Sequence, residues 1–150
     1  RGGSRVSVLV DTGVLYAHHD EGSSRHDSAV AAMNAINRGE YGQPFVSDYI
    51  YDEVVTLTRT RANDFEPARR IGRRIRGAGE FTSPFRMLQV TSDRFDAAVA
   101  AFERYDDQPL SFTDAASVAL CEREGIDRIC SYDDDFDGIV DRFDPSTISS

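Results

Sequence analysis

Residues 6–11 read VSVLVD, and this short stretch decides the fold class. The run from Val6 to Val10 is almost continuously β-branched and apolar, which predicts a strand buried on both faces of a sheet. The run ends abruptly at Asp11. A buried strand has no structural need for a terminal carboxylate, because an unpaired charge is costly to desolvate. Asp11 is therefore the first candidate for a functional residue.

Strands and helices alternate along the rest of the chain. Helices are predicted over 24–38, from Ser47 or Asp48, over 65–76, from Ser92, and over 113–124, where Thr113 is the expected cap. Strands are predicted at 44–46, 86–90 and 127–131. Helices of about 10 to 15 residues between strands indicate an α/β fold, with a mainly parallel sheet and helices on both faces. Such sheets bind ligands beyond the carboxyl ends of their strands.

Length and composition fit one globular domain. The chain has 150 residues, of which 40% are hydrophobic and 29% charged, proportions typical of a folded soluble protein. We expect residues 5–148 to form a single domain and the Arg-Gly-Gly-Ser of residues 1–4 to be a cloning remnant. No apolar run approaches the ~20 residues of a membrane span, and a reducing cytoplasm is the expected location. Cys121 and Cys130 match no metal-binding spacing and are expected to be buried apolar residues.

The charged residues have an unusual composition. All 17 basic residues are Arg, whereas the 26 acids comprise 18 Asp and 8 Glu, which gives a net charge of −9. The absence of Lys excludes Lys nucleophiles, P-loop lysines and phosphoacceptor signalling domains that need a Lys. A Lys-free acidic chain also suits a high-salt environment, where charge repulsion is screened.

Four acids occupy positions where a site would form. Asp11 and Asp133 follow predicted strands, Asp114 lies in the first turn of a predicted helix, and Glu53 lies beside an apolar helix stripe. Converging carboxylates would repel one another and become partly protonated, a penalty that a divalent cation removes. All-oxygen ligands favour Mg²⁺ or Mn²⁺. A metal held in this way activates water and stabilises charge on a phosphodiester.

Four segments together resemble the acidic motifs of PIN-domain nucleases, in particular VapC-type toxins. They are VSVLVDTGVLYAHHD (6–20), SDYIYDEVVTLTRTR (47–61), LSFTDAASVALCEREG (110–125) and ICSYDDDFDGI (129–139). The resemblance covers about residues 5–145. It implies a Rossmann-like, five-stranded, mainly parallel sheet flanked by helices, and Mg²⁺- or Mn²⁺-dependent endoribonuclease activity on an RNA substrate. It also implies an antitoxin partner, and we expect a homodimer.

The resemblance assigns roles to individual residues. Asp11, Glu53, Asp114 and Asp133 are implied to be the catalytic and metal-site acids, supported by Thr12 and Ser131. We expect Asp11 and Asp114 to be direct ligands, and Glu53 and Asp133 to hold a second metal or to orient water. The family motif has one leading Asp where this chain has three in a row, so Asp135 is the alternative to Asp133, whereas strand alternation turns Asp134 elsewhere.

A basic segment follows the second motif. Residues 59–86 hold eight Arg against Asp64, Glu66 and Glu80, a net +5, so the remainder of the chain carries −14. Such a segment is either a solvated helix face or a phosphate-binding flank. For the second interpretation the candidate RNA-binding residues are Arg69, Arg70, Arg73 and Arg74.

Two other functions stay open at the sequence level. A non-catalytic interaction subunit would use apolar positions around 49–57 and the helix from 65. A calcium-binding module is suggested by residues 133–144, whose acids and Gly138 fit an EF-hand loop. A strand before that loop and Pro145 after it argue against the flanking helices that an EF-hand needs. Of the three histidines, His26 is expected to pack at a helix start.

Overall fold

The computed structural model describes residues 6–148, which form five strands and six α-helices. In chain order the elements are β1 (Ser7–Val10), α1 (Thr12–His19), α2 (His26–Asn37), β2 (Gln43–Ser47), α3 (Asp48–Ala62), α4 (Phe65–Arg76), β3 (Arg86–Leu88), α5 (Ser92–Arg104), α6 (Phe112–Glu124), β4 (Arg128–Cys130) and β5 (Arg142–Phe143). Short 3₁₀ helices span Asp134–Phe136 and Pro145–Thr147. Within residues 6–148, no helix combines the length and apolarity needed to cross a bilayer.

The strands form one parallel sheet with β1 at its centre. The strand order is β3-β2-β1-β4-β5, and every neighbouring pair is parallel. Val8, Leu9 and Val10 point alternately to the two faces of the sheet, yet all are fully buried. Both faces are therefore covered, as the sequence of β1 predicts. The five-stranded α/β fold expected from the motifs is confirmed.

Most predicted elements are present, with shifted ends. The strand expected at 86–90 is limited to Arg86–Leu88, and the helix expected over 24–38 spans His26–Asn37. Two elements have no counterpart in the sequence prediction. The helix α1 has only eight residues, and its N-cap residue Asp11 makes no side-chain capping bond. The strand β5 has two residues, too few for a periodic signal.

Two serines cap the helices that carry candidate acids. The Ser47 hydroxyl accepts a hydrogen bond from the backbone N–H of Ile50 at 3.0 Å, which settles the start of α3. The expectation that Thr113 caps α6 is wrong. Ser111 is the N-cap, because its hydroxyl can reach the backbone N–H of the third helical residue, Asp114.

The turn at 133–144 is not an EF-hand. It contains a 3₁₀ helix and ends in β5, which pairs with β4, so it extends the sheet instead of joining two helices. Arg142 also donates hydrogen bonds to both carboxylate oxygens of Asp137, at 2.7 and 3.0 Å, and so engages an acid that the calcium interpretation requires.

Other expectations concern packing. Cys121 and Cys130 are buried and not disulfide-bonded, as predicted. On α5, Phe95 and Phe102 remain about half exposed and pack around Phe112. The expected remnant at residues 1–4 lies outside the described residues.

Candidate metal centre

The carboxyl ends of β1 and β4 bring the first two candidate residues together. Val10 and Cys130 are paired in register, so Asp11 and Ser131 follow at the same level of the sheet. The backbone N–H of Asp11 donates to the carbonyl of Cys130 at 3.0 Å. The Ser131 hydroxyl donates to Asp11 Oδ2 at 2.7 Å and accepts the backbone N–H of Asp133 at 3.0 Å. One buried hydroxyl thus fixes Asp11 and the start of the acidic turn.

Thr12 connects the first motif to the second. Its hydroxyl donates to Glu53 Oε1 at 2.5 Å, a contact between the first residue of α1 and the second turn of α3. Thr12 is buried and Glu53 is half-buried, whereas Asp52 is exposed. Of these two adjacent acids, Glu53 therefore faces the protein and Asp52 faces water.

Asp114 is positioned by a reciprocal capping box at the start of α6. Its backbone N–H donates to the Ser111 hydroxyl at 3.0 Å, and its Oδ2 accepts the Ser111 backbone N–H at 3.1 Å. The helix dipole favours a carboxylate at this position. Sequence reasoning missed Ser111, although the Ser-x-x-Asp spacing is a recognisable capping signal.

The four acids act on one another electrostatically. The pKa of Asp11 is raised to about 6, chiefly by burial and also by the charges of Asp114 and Glu53, against the lowering effect of the Ser131 hydrogen bond. Burial also raises the pKa of Asp114, and the charges of Asp133 and Glu53 add to the increase. Asp11 and Asp114 therefore lie in a partly desolvated environment, in which adding negative charge is unfavourable.

The three consecutive acids after Ser131 form a tighter group. Within residues 6–148, Asp133, Asp134 and Asp135 are the one set of three or more acidic, His or Cys side chains whose potential ligand atoms all lie within 4.8 Å of one another. Asp133 accepts the backbone N–H of Asp135 at 2.9 Å, and Asp134 is exposed. The four predicted acids do not form such a set within residues 6–148; the Ser131 hydroxyl links Asp11 to the Asp133 backbone, and the Thr12 hydroxyl contacts Glu53.

The donor chemistry of this edge fits a hard divalent cation. Carboxylate oxygens are offered by Asp11, Glu53, Asp114 and Asp133. The charged groups that shift the pKa values of Asp11 and Asp114 are all neighbouring acids, and their charges are negative. A cation would replace this repulsion with attraction. Oxygen ligands of this kind suit Mg²⁺ or Mn²⁺. We call these four acids the acidic edge.

The candidate RNA-binding arginines do not share one face of α4. Arg69 and Arg73 line a groove against α3 together with Arg59 and Arg76. Arg70 and Arg74 line a cavity on the side of α1. Arg69 pairs with Glu66, and Arg70 lies 3.8 Å from Glu80. The predicted basic flank is therefore divided into two pairs with different surroundings.

Comparison with known proteins assigns the chain to a family. A model of the PIN domain matches residues 8–141. The chain belongs to the PIN domain family. The resemblance drawn from the four acidic motifs is thereby confirmed, and with it the assignment to a family of nucleases. A comparison with curated protein sequences gives no significant match.

Solved structures similar to this PIN domain include a toxin and a toxin–antitoxin complex. The Mycobacterium tuberculosis toxin VapC20, described as cleaving the sarcin–ricin loop, is 26% identical and superposes with a TM-score of 0.73, over 89% of this chain and 96% of that one. A toxin–antitoxin complex from Klebsiella pneumoniae is 20% identical, with a TM-score of 0.64 over 94% and 99% of the two chains. VapBC2 of Rickettsia felis, bound to a promoter DNA fragment, is 8% identical, with a TM-score of 0.67 over 92% and 98%. The last two similarities concern the fold alone.

Proposed function

We propose that this PIN domain is a Mg²⁺- or Mn²⁺-dependent endoribonuclease and the toxin of a toxin–antitoxin pair. The observation that carries the proposal is the hydroxyl-bridged arrangement at the acidic edge, where Ser131 holds Asp11 and Thr12 holds Glu53. A charged carboxylate that is buried and also fixed by a donor is arranged to bind a cation rather than to stabilise the fold. The similarity to a toxin described as an RNA-loop nuclease supports the substrate class.

Each acid has a separate role in this proposal. Asp11 and Asp114 are the direct ligands, and Glu53 and Asp133 hold a second ion or orient the attacking water. A bound divalent ion supplies activation of water and stabilisation of negative charge on the phosphate. Ser131 and Thr12 are positioning residues, because their hydroxyl donors fix the carboxylate rotamers before substrate arrives. Asp135 is the alternative to Asp133.

Partners and location follow from the family at the level of a proposal. Two of the similar structures are described as a toxin–antitoxin complex and as VapBC2 on promoter DNA. We therefore propose that a protein antitoxin restrains this PIN domain, that it forms a homodimer, and that it acts in the cytoplasm. Arg69, Arg70, Arg73 and Arg74 remain the proposed RNA-binding residues.

The test is RNA cleavage with a matched pair of variants on α3. Purified protein is incubated with RNA in Mg²⁺, in Mn²⁺ and in EDTA, and products are resolved by electrophoresis. Glu53→Gln removes a half-buried acid that Thr12 holds, whereas Asp52→Asn removes its exposed neighbour. We expect cleavage in either metal, none in EDTA, loss in Glu53→Gln and retention in Asp52→Asn. Equal cleavage by the two variants, or cleavage in EDTA, would contradict the proposal. A chain that cuts no RNA in either metal would favour the interaction-subunit alternative.

A further inference from the structure

A group of basic side chains lies away from the acidic edge, in a cavity of about 510 Å³ between α1, α2, α4 and the segment before β3. Arg74 supplies one cation to its lining, His18 and His19 supply imidazole rings, and Asn34 and Asn37 add amide groups. Its apolar wall includes Leu15, Met33, Ile71 and Phe85, of which the first three are almost fully buried. A cavity of this size, with a few convergent polar groups and an apolar wall, is typical of a site for a small ligand. We call it the basic cavity.

Two polar groups of the basic cavity, on Arg74 and His19, lack direct protein partners within residues 6–148. Among residues 6–148, the Arg74 guanidinium makes no ion pair or hydrogen bond. In the same part of the chain, His19 Nδ1 is shielded from solvent without a hydrogen-bond partner. A partly buried cation without a partner is costly, and an anion removes that cost. The Arg74 guanidinium and the His19 ring therefore favour a ligand with negatively charged oxygens.

The lowered pKa values of the two histidines indicate that their protonation would be coupled to the binding of an anion. Burial, with the charge of Arg74, lowers the pKa of His18 to about 4 and also lowers that of His19. The pKa of Arg74 is lowered by burial and by the charge of Arg70. The charged and titratable groups around the histidines are His26 from α2, Asp20 and Glu21 after α1, Arg61 from α3, and Arg70 and Arg74 from α4. Bound phosphate would raise the histidine pKa values, so we expect its affinity to increase as pH falls.

One stripe of α1 leads from the acidic edge to this cavity. Thr12, Tyr16 and His19 are spaced four and three residues apart, and so lie on the same face of the helix. Thr12 contacts Glu53, and the Tyr16 ring lies 4.9 Å from the Arg61 guanidinium. His19 then borders a second cavity that also includes Arg61, Arg70 and Arg74. From Thr12 to His19 the helix rises only about 10 Å, a distance that one RNA strand can span.

We propose that the basic cavity binds one nucleotide of the RNA strand that is cut at the acidic edge, with its phosphate at Arg74, His18 and His19. The nucleoside lies against the apolar wall. This inference rests on the proposed nuclease function and adds a substrate contact to it. An acidic protein segment has the same charge, but the continuity of α1 between the two sites favours the nucleic acid strand.

The first test measures RNA binding without cleavage. An Asp11→Asn parent is titrated in EDTA against a fluorescent single-stranded RNA at several KCl concentrations. Arg74→Gln is expected to weaken binding about tenfold and to reduce the magnitude of the salt slope by about 0.7, the value for one phosphate contact on a single strand. Arg123→Gln, an exposed charge on α6, is the matched control and should leave the slope unchanged. An Arg74→Gln variant that binds like Arg123→Gln would overturn the proposal.

The second test identifies the ligand and does not depend on cleavage. A 5′-mononucleotide, inorganic phosphate and polyglutamate are titrated separately while the ring-proton NMR signals of His18 and His19 are followed, with His19→Gln for assignment. We expect shifts with the mononucleotide and weaker ones with phosphate, and their loss in Arg74→Gln. Shifts with polyglutamate but not with the mononucleotide would overturn the proposal and assign the cavity to an acidic protein. If the wild type cuts no RNA but these shifts occur, the nuclease proposal fails alone; if it cuts RNA and no shifts occur, the cavity proposal fails alone.

Discussion

The acidic edge and the basic cavity present the same electrostatic problem with opposite signs. At the edge, burial raises the pKa of Asp11 and Asp114; in the cavity, it lowers the pKa of His18 and His19. The difference lies in the supporting hydrogen bonds. Hydroxyl donors already hold Asp11 and Glu53, and a backbone N–H holds Asp114, whereas Arg74 has no such partner among residues 6–148. In the proposed roles, hydrogen bonds hold the carboxylates of the acidic edge in place before a cation binds. No such hydrogen bond within residues 6–148 holds the Arg74 side chain of the basic cavity before an anion binds.

The largest expected effect separates catalysis from binding. Asp11→Asn keeps the size and most hydrogen-bonding capacity of the side chain but removes its charge, so metal-dependent cleavage should fall by about a thousandfold. RNA binding in EDTA should be retained, because the basic cavity is unchanged. Single-turnover cleavage and anisotropy on the same preparation measure the two effects. Equal losses of cleavage and binding would mean that the two regions do not have separate roles.

The same substitution should stabilise the metal-free protein. The folded-state pKa of Asp11, about 6, lies above its unfolded value of 3.8, so the folded state binds the proton more tightly. The contribution of this group to the free energy of unfolding is fully present below about pH 4 and is lost as the pH rises through about 6. Above that range the loss amounts to about 3 kcal/mol. Asp11→Asn should therefore be more stable than the wild type at pH 7 and similar at pH 4. Urea unfolding in EDTA at both pH values measures this, and a wild type that is the more stable at pH 7 would contradict it.

A smaller effect tests the bridging hydroxyl of Ser131. Ser131→Ala removes the donor to Asp11 and the acceptor for the Asp133 backbone, so metal affinity should fall about 10- to 100-fold. Ser117 is a matched control, because it is equally buried and its hydroxyl has no hydrogen-bond partner within residues 6–148. Ser117→Ala should leave metal affinity and cleavage unchanged. If both variants lose metal affinity equally, Ser131 has no specific positioning role.

The smallest effect concerns the middle acid of the turn. Asp134 is exposed, whereas Asp133 is held by Ser131 through its backbone. Asp134→Asn should change cleavage by less than about twofold, as expected for a solvated surface acid, and Asp133→Asn should change it far more. Measuring Asp135→Asn alongside them decides which acid completes the edge. A loss in Asp134→Asn as large as in Asp133→Asn would contradict the assignment.

The acidic edge could be predicted from the sequence because its positions follow from strong local signals. The apolar run at Val6–Val10 predicts a buried strand, which the structure shows over Ser7–Val10 with Val6 exposed, and the carboxyl ends of parallel strands meet at one edge. Asp11 and the turn after Cys130 are therefore neighbours in any such fold. Glu53 was identified from the apolar stripe beside it, although the Thr12 hydroxyl that holds it lies 41 residues away in sequence.

The basic cavity could not be predicted, because its parts are not adjacent in sequence and have no shared pattern. His18 and His19 end a short helix without a side-chain cap, and Arg74 is one of several arginines on α4. Only the packing of α1 against α2 and α4 shows that Arg74 faces the histidines while Arg73 faces α3. Charge counting found the basic segment but not its division into two faces.

Metal binding is the most direct test of the central claim that the acidic edge is a divalent-cation site. Mn²⁺ is titrated calorimetrically at pH 7 into the wild type, Asp11→Asn and Asp134→Asn. The prediction is saturable binding by the wild type, at least tenfold weaker binding by Asp11→Asn, and wild-type affinity for Asp134→Asn. Binding that survives Asp11→Asn and is lost in Asp134→Asn would place the ion in the turn of residues 133–135 and contradict the account.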